Sequence, residues 1–194
     1  MKTLCSLLLT TMVTIGFPAM AEDHQNITAS VTVSAYANGE FGAGYTTDAN
    51  EQPLVKALVV PGPGVITITY VSGMWCLSNG QSCTSANGYA GTDFGGQWYD
   101  PLSEATGVLG NSCTDCGALI GAFVPQSWVE QPGFVAENGK KLTSGAGIMP
   151  NHLFFVGSYN YLEVRGPGTL YLGINDWKVE DNSGSLNVTV SYSH

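Results

Sequence analysis

The chain has 194 residues, six Lys+Arg against fifteen Asp+Glu, and a formal net charge of −9 at neutral pH. So acidic a balance excludes the basic patches that nucleic-acid backbones and anionic membrane surfaces require. Charged residues are sparse at 11%, while Gly alone numbers 25, and with plentiful Ser, Thr, Asn and Tyr this composition suits an extracellular all-β domain.

The first 21 residues read as a targeting segment. Lys2 supplies the positive end, Leu4 to Phe17 the apolar run, and Ala19-Met20-Ala21 a small-x-small cleavage site. The run is too short for a comfortable membrane span, and no second run of spanning length follows. The expectation is therefore a cleaved, exported chain, secreted or periplasmic, with no membrane insertion. An uncleaved anchor is the alternative. Residues 22–194 are of a length that makes one domain with an ample core.

Strands dominate the remainder. Ile27 to Tyr36 alternates Ile27, Ala29, Val31 and Val33 against Ser and Thr, the period of a half-buried strand. Ala37 to Asn50 looks like a hairpin connection. Leu54 to Val60 is a second strand, stopped by Pro61-Gly62-Pro63-Gly64, and Val65 to Val71 a third, β-branched and well bounded. Residues 72–110 then become rich in Gly, Ser and Asn and carry Trp75, Tyr89, Trp98 and Tyr99. They read as a long loop insertion, with a short helical turn near Leu102 to Ala105. Gly117 to Val124 is a buried strand with Gly where backbones approach closely. Gln126 to Gly147 is a second loop region, followed by strands at Leu153 to Val156 and Tyr161 to Val164. Gly168 to Tyr192 closes the chain as two alternating strands in a hairpin, joined by a short acidic loop. About eight short strands without a nameable helix predict a β-sandwich.

Cys5 leaves with the targeting segment, and Cys76, Cys83, Cys113 and Cys116 remain. An even number in an oxidising compartment implies two disulfides with three possible connectivities. Cys76–Cys83 and Cys113–Cys116 are favoured because each closes a short loop. A redox reading of Cys113-Thr-Asp-Cys116 needs a helix starting at the motif, whereas here a strand follows.

Catalytic material is scarce. The three histidines are His24 and His194 near the ends and His152 at the start of a strand, so a Ser or Cys nucleophile has almost no base to work with. Carboxylate pairs for glycoside hydrolysis could be drawn from Asp93, Asp100, Glu104, Asp176 and Asp181, but sequence spacing selects none of them. The chain reads as a non-enzyme. The acidic loop is different. Asn175, Asp176, Glu180, Asp181 and Asn182 crowd oxygens into one turn, and hard cations such as Ca2+ take about six to eight oxygen ligands. The same residue types are ordinary turn formers, and their spacing is not that of a helix–loop–helix calcium site.

Four stretches, taken together, carry a resemblance. Gly64 to Gly73 (GVITITYVSG), Cys116 to Leu119 (CGAL), Gly168 to Asp176 (GTLYLGIND) and Asp181 to Val188 (DNSGSLNV) resemble, in the same order, the calcium-dependent PA-IL-type galactose-binding lectins of bacteria. The likeness covers about half of the mature chain. It implies a β-sandwich of the galactose-binding-domain, jelly-roll type. It also implies a calcium held by Asp176, by Asp181 where the family has Asn, by Asn182, and by a backbone carbonyl near Leu77. In that family, two adjacent sugar hydroxyls lie directly on the calcium, so Asp176 and Asp181 would also line the sugar site.

The loop between Asp176 and Asp181 is about two residues shorter than the family pattern. The family's galactose-gripping His and Gln are absent from Pro101 to Gly107. Glu104, Thr106, Trp98 or Tyr99 would then take over recognition of a galactose-like or other glycan, aromatic rings packing on the apolar faces of sugars. Multivalency is common in the family, so the resemblance is compatible with a homo-oligomer, but no residue of this sequence fixes an interface. The resulting expectation is a secreted carbohydrate-binding protein acting through Ca2+. The rivals are a calcium-stabilised adhesion module that binds protein and an enzyme acting on glycans.

Overall fold

A computed structural model describes residues 26–37, 52, 54–77, 82–89, 115–129, 153–176 and 179–194. The predicted targeting segment, Cys113, Trp98, Tyr99, Glu104 and Thr106 lie outside the described residues, as does most of the predicted 72–110 insertion.

The strands are β1 (Asn26–Ser34), β2 (Val55–Val60), β3 (Pro63–Leu77), β4 (Ser82–Thr84), β5 (Asn87–Tyr89), β6 (Cys116–Pro125), β7 (Leu153–Phe155), β8 (Tyr159–Arg165), β9 (Gly168–Ile174) and β10 (Ser183–Ser193). One short helix, α1 (Gln126–Val129), follows β6. The strands form two five-stranded sheets. In the first the order is β1-β10-β3-β4, with β8 also on β3; in the second it is β2-β9-β6-β5, with β7 also on β6. All named strand pairs are antiparallel. The predicted all-β sandwich is therefore the observed architecture.

The alternation read in β1 and β10 is real. Leu186, Val188, Val190 and Tyr192 point inward from β10 and are buried, with Val33 beside them from β1. They meet Leu170, Leu172 and Ile174 of β9, Leu119 of β6 and Val60 of β2 in one core. Sequestration of this apolar surface from water is the main force closing the two sheets on each other. Strand β6 is buried along almost its whole length, as expected. Its Gly121 makes room for the ring of Phe154 rather than for another backbone.

Two expectations are corrected. First, Gly168 to Tyr192 is not a hairpin. β9 lies in the second sheet and β10 in the first, so residues 175–182 carry the chain from one layer to the other. β9 pairs with β2 and β6 on its two edges and is buried on both faces. Its neighbours leave no edge for β10. Second, the third strand does not stop at Val71. Gly73, at φ 104°, follows the register shift opposite Asn187/Val188, and a side chain there would meet Ser185 O. Only glycine tolerates both conditions, and the strand runs on to Leu77. Trp75 on this extension is fully buried and donates its indole N–H to Gly117 O at 2.6 Å.

The Cys76–Cys83 disulfide forms as expected and ties β3 to β4, where the two cysteines face each other. Cys116 is also disulfide-bonded, to a partner outside the described residues. Among the described residues, no helix is long and apolar enough to cross a membrane.

Burial also fixes one titration. Desolvation raises the phenol of Tyr171 above its ordinary 10.0, because the side chain is held inside β9. The folded state therefore resists ionisation more than the unfolded chain does. The associated stability is present below pH 10 and is lost as the pH climbs through the raised folded value. Urea unfolding below and above pH 10 is expected to show this loss, and Tyr171→Phe is expected to reduce it.

Candidate functional site

The crossover from β9 to β10 is built from a short polar sequence laid on apolar anchors. Asn175 is fully buried. Its backbone N–H donates to Ala118 O at 2.9 Å, and its carbonyl accepts from Gly117 N–H at 2.8 Å. Its side-chain amide donates to Asp115 O at 3.2 Å. Val179 is also fully buried and belongs to the core. Its carbonyl accepts from Asn182 N–H at 3.1 Å, closing a turn through Glu180 and Asp181. The crossover is thus pinned at its start and near its middle.

Between these anchors the structure brings two of the predicted site residues into contact. Asp176 is 6% exposed and Asn182 3% exposed. Asn182 Nδ2 donates to Asp176 Oδ2 at 2.8 Å and to Ala35 O at 3.0 Å. Both partners are acceptors, so the amide cannot be turned round without setting oxygen against oxygen. The orientation of Asn182 is therefore fixed, and Oδ1 must point away from both groups. That oxygen is buried and has no hydrogen-bond partner among the described residues. A buried carbonyl oxygen left unmade costs about 1–3 kcal/mol.

The other predicted residues fall as follows. Asp181 is half-buried in the turn immediately before Asn182. Leu77 ends β3 with its side chain in the core. The β3–β10 ladder ends at Cys76↔Ser183, so Leu77 and Asn182 are the next residues beyond it on the two strands. Glu104, Thr106, Trp98 and Tyr99 cannot be placed, since they are outside the described residues. Ala35 and Val179 contribute without having been singled out in the sequence. Ala35 O, 147 residues from Asn182 in the chain, left no local signal. Val179 did, as a lone aliphatic residue in an acidic loop.

Among the described residues, no three His, Cys, Asp or Glu side chains gather in one place. The arrangement instead offers one carboxylate, one oriented amide oxygen and nearby backbone carbonyls. An all-oxygen set of low formal charge suits a hard cation and not a thiolate- or imidazole-seeking metal. The unmet Oδ1 of Asn182, on a side chain whose Nδ2 is bonded to the Asp176 carboxylate, is the observation that fits such an ion.

The sequence matches no family model and no curated protein. Among solved structures it is similar to one described as "EclA N-terminal domain; PllA-like lectin". That likeness covers 85% of this chain and 95% of that chain, with a TM-score of 0.44 and 18% identity. These values are too low to transfer any property, and the functional reading rests on the chain's own residues.

Proposed function

We propose that this protein is an exported, non-catalytic carbohydrate-binding module whose glycan is held at a calcium ion seated on Asp176, Asn182, Asp181 and a backbone carbonyl near Leu77. The observation that carries the reading is the buried Asn182 Oδ1, which has no hydrogen-bond partner among the described residues and is held in orientation by the bond from Nδ2 to the buried Asp176 carboxylate. The order of the GTLYLGIND and DNSGSLNV stretches, which resembles that of PA-IL-type lectins, adds the carbohydrate.

Each residue has a distinct task. Asp176 supplies the negative charge that a dication requires at a site with few other acids. Ala35 O fixes the amide of Asn182, so that Oδ1 is oriented before anything binds and little conformational entropy remains to be lost. Asp181, half-buried in the adjoining turn, would add a second carboxylate to the ion. A bound calcium ion would supply the open coordination positions that two vicinal sugar hydroxyls fill in place of water, so a neutral ligand could dock without burying new charge.

Thermal unfolding in calcium, strontium and chelator tests the ion, and a glycan array run with and without calcium tests the sugar. The expected results are a melting temperature that rises with calcium and array signals that vanish in chelator. Calcium-dependent stability with a blank array would favour the protein-binding adhesion module. Product release in excess of protein would favour an enzyme. No calcium effect on melting would overturn the reading.

A further inference from the structure

The outward face of the first sheet is a second surface with its own chemistry. β8 lies against β3 with Tyr161 opposite Thr67 and Tyr159 opposite Thr69. Thr67 in turn faces Ser191 and Thr28, and Thr69 faces Thr189 and Ser30. Two adjacent rows thus cross four strands, and each runs from a tyrosine through three hydroxyl side chains. The next row is also neutral: Asn187 accepts from Thr32 Oγ1 at 3.0 Å and donates to Ser72 Oγ at 3.2 Å. No charged residue occurs in these three rows, on a chain of net charge −9.

The tyrosines stand out from this surface. Tyr159 is 61% exposed and Tyr161 60%. Single exposed aromatics are common and need no explanation, but these two are on one strand, on one face and two residues apart. That places them about 6.7 Å apart along the strand, as a platform longer than one ring.

From the juxtaposition of paired exposed tyrosines with an uncharged hydroxyl lattice, we propose that this face binds a neutral, extended polysaccharide independently of the crossover site. Aromatic rings pack on the apolar faces of sugar rings, and the Ser, Thr and Asn groups exchange hydrogen bonds with sugar hydroxyls without desolvating a charge. An acidic polymer would be repelled by the overall charge of the chain. Strand addition by a second copy along β8 is disfavoured by Asn160. Its Oδ1 accepts from Tyr161 N–H at 2.7 Å, so a side chain already occupies one backbone donor of β8, and its Nδ2 donates to Phe155 O of β7 at 2.6 Å.

The test is co-sedimentation of the full chain with insoluble cellulose and chitin, both neutral polymers, in the presence of chelator. Retention on at least one of them is expected, weakened at least tenfold in the double variant Tyr159→Ala/Tyr161→Ala and largely kept in Tyr159→Phe/Tyr161→Phe. Both side chains are mostly in solvent, so circular dichroism and melting should be unchanged. Absence of retention on both polymers would overturn the proposal, as would retention unaffected by the double alanine variant. Retention that chelator abolishes and the tyrosine variants leave intact would remove this site while leaving the calcium site standing. Self-association that the double alanine variant abolishes, without retention, would assign the face to a second copy instead.

Discussion

Asp176→Asn is expected to abolish the calcium-dependent rise in melting temperature and, with it, chelator-sensitive glycan binding, while leaving the chain folded. The substitution keeps the shape of the side chain and an oxygen that can accept from Asn182 Nδ2, the bond now made at 2.8 Å. It removes the negative charge. With one buried carboxylate in contact with the oriented amide, that charge is the largest single attraction for a dication. Saturation at about 100 times the dissociation constant stabilises a protein by about 2.7 kcal/mol, and the variant should forfeit all of it. Asp176→Ala should do the same and also lower the ion-free stability by about 1–3 kcal/mol, because Asn182 Nδ2 loses an acceptor. Titration calorimetry with calcium is the direct measurement. An Asp176→Asn protein that binds calcium with wild-type affinity would refute the assignment.

Trp75→Ala is expected to be the most damaging single substitution among the core positions, at about 3–5 kcal/mol. Total stabilities of domains are about 5–15 kcal/mol, so the variant is near the threshold of folding. The indole is fully buried, and its N–H is bonded to Gly117 O at 2.6 Å. Trp75→Phe keeps one aromatic ring in the core but removes the indole N–H and part of the buried volume. It leaves Gly117 O without that donor and should cost about 1–3 kcal/mol. Gly117 N–H bonds Asn175 O, one residue before Asp176, so Trp75→Phe should also weaken calcium binding. Urea unfolding followed by calcium titration reads both effects. Unchanged calcium affinity in a destabilised Trp75→Phe protein would show that the packing and the site are uncoupled.

The layer assignment was the part of the fold least accessible from sequence. Alternation in β1, β3 and β10 announces a strand with one buried face, and those strands are where it placed them. Periodicity does not name the partner, however. Leu170, Leu172 and Ile174 alternate as well as Leu186, Val188 and Val190 do, yet the two sets line opposite sheets. Burial on both faces of β9 was foreshadowed only by Tyr171 and Gly173, residues compatible with either an open or a covered face. Ser72-Gly73 has the composition of a turn, but in context Gly73 supplies the conformation that lets β3 continue. In the site, Asp176 and Asn182 were legible as a crowding of oxygen-rich residues in one short connection, although the same residue types are also ordinary turn formers. The carbonyl that orients them was not, since Ala35 reaches Asn182 only through the pairing of β1 with β10.

Were a calcium ion bound at the crossover, Val179 would set the tempo of its exchange. Lifting the crossover away would drag a fully buried aliphatic side chain into water, at about 1.5–3 kcal/mol, and would break the Asn182 N–H bond to Val179 O. Entry and exit of the proposed cation would then be governed by its dehydration and not by lifting of the crossover. Such a receptor equilibrates promptly with its surroundings, so occupancy would follow external calcium as that concentration rises and falls.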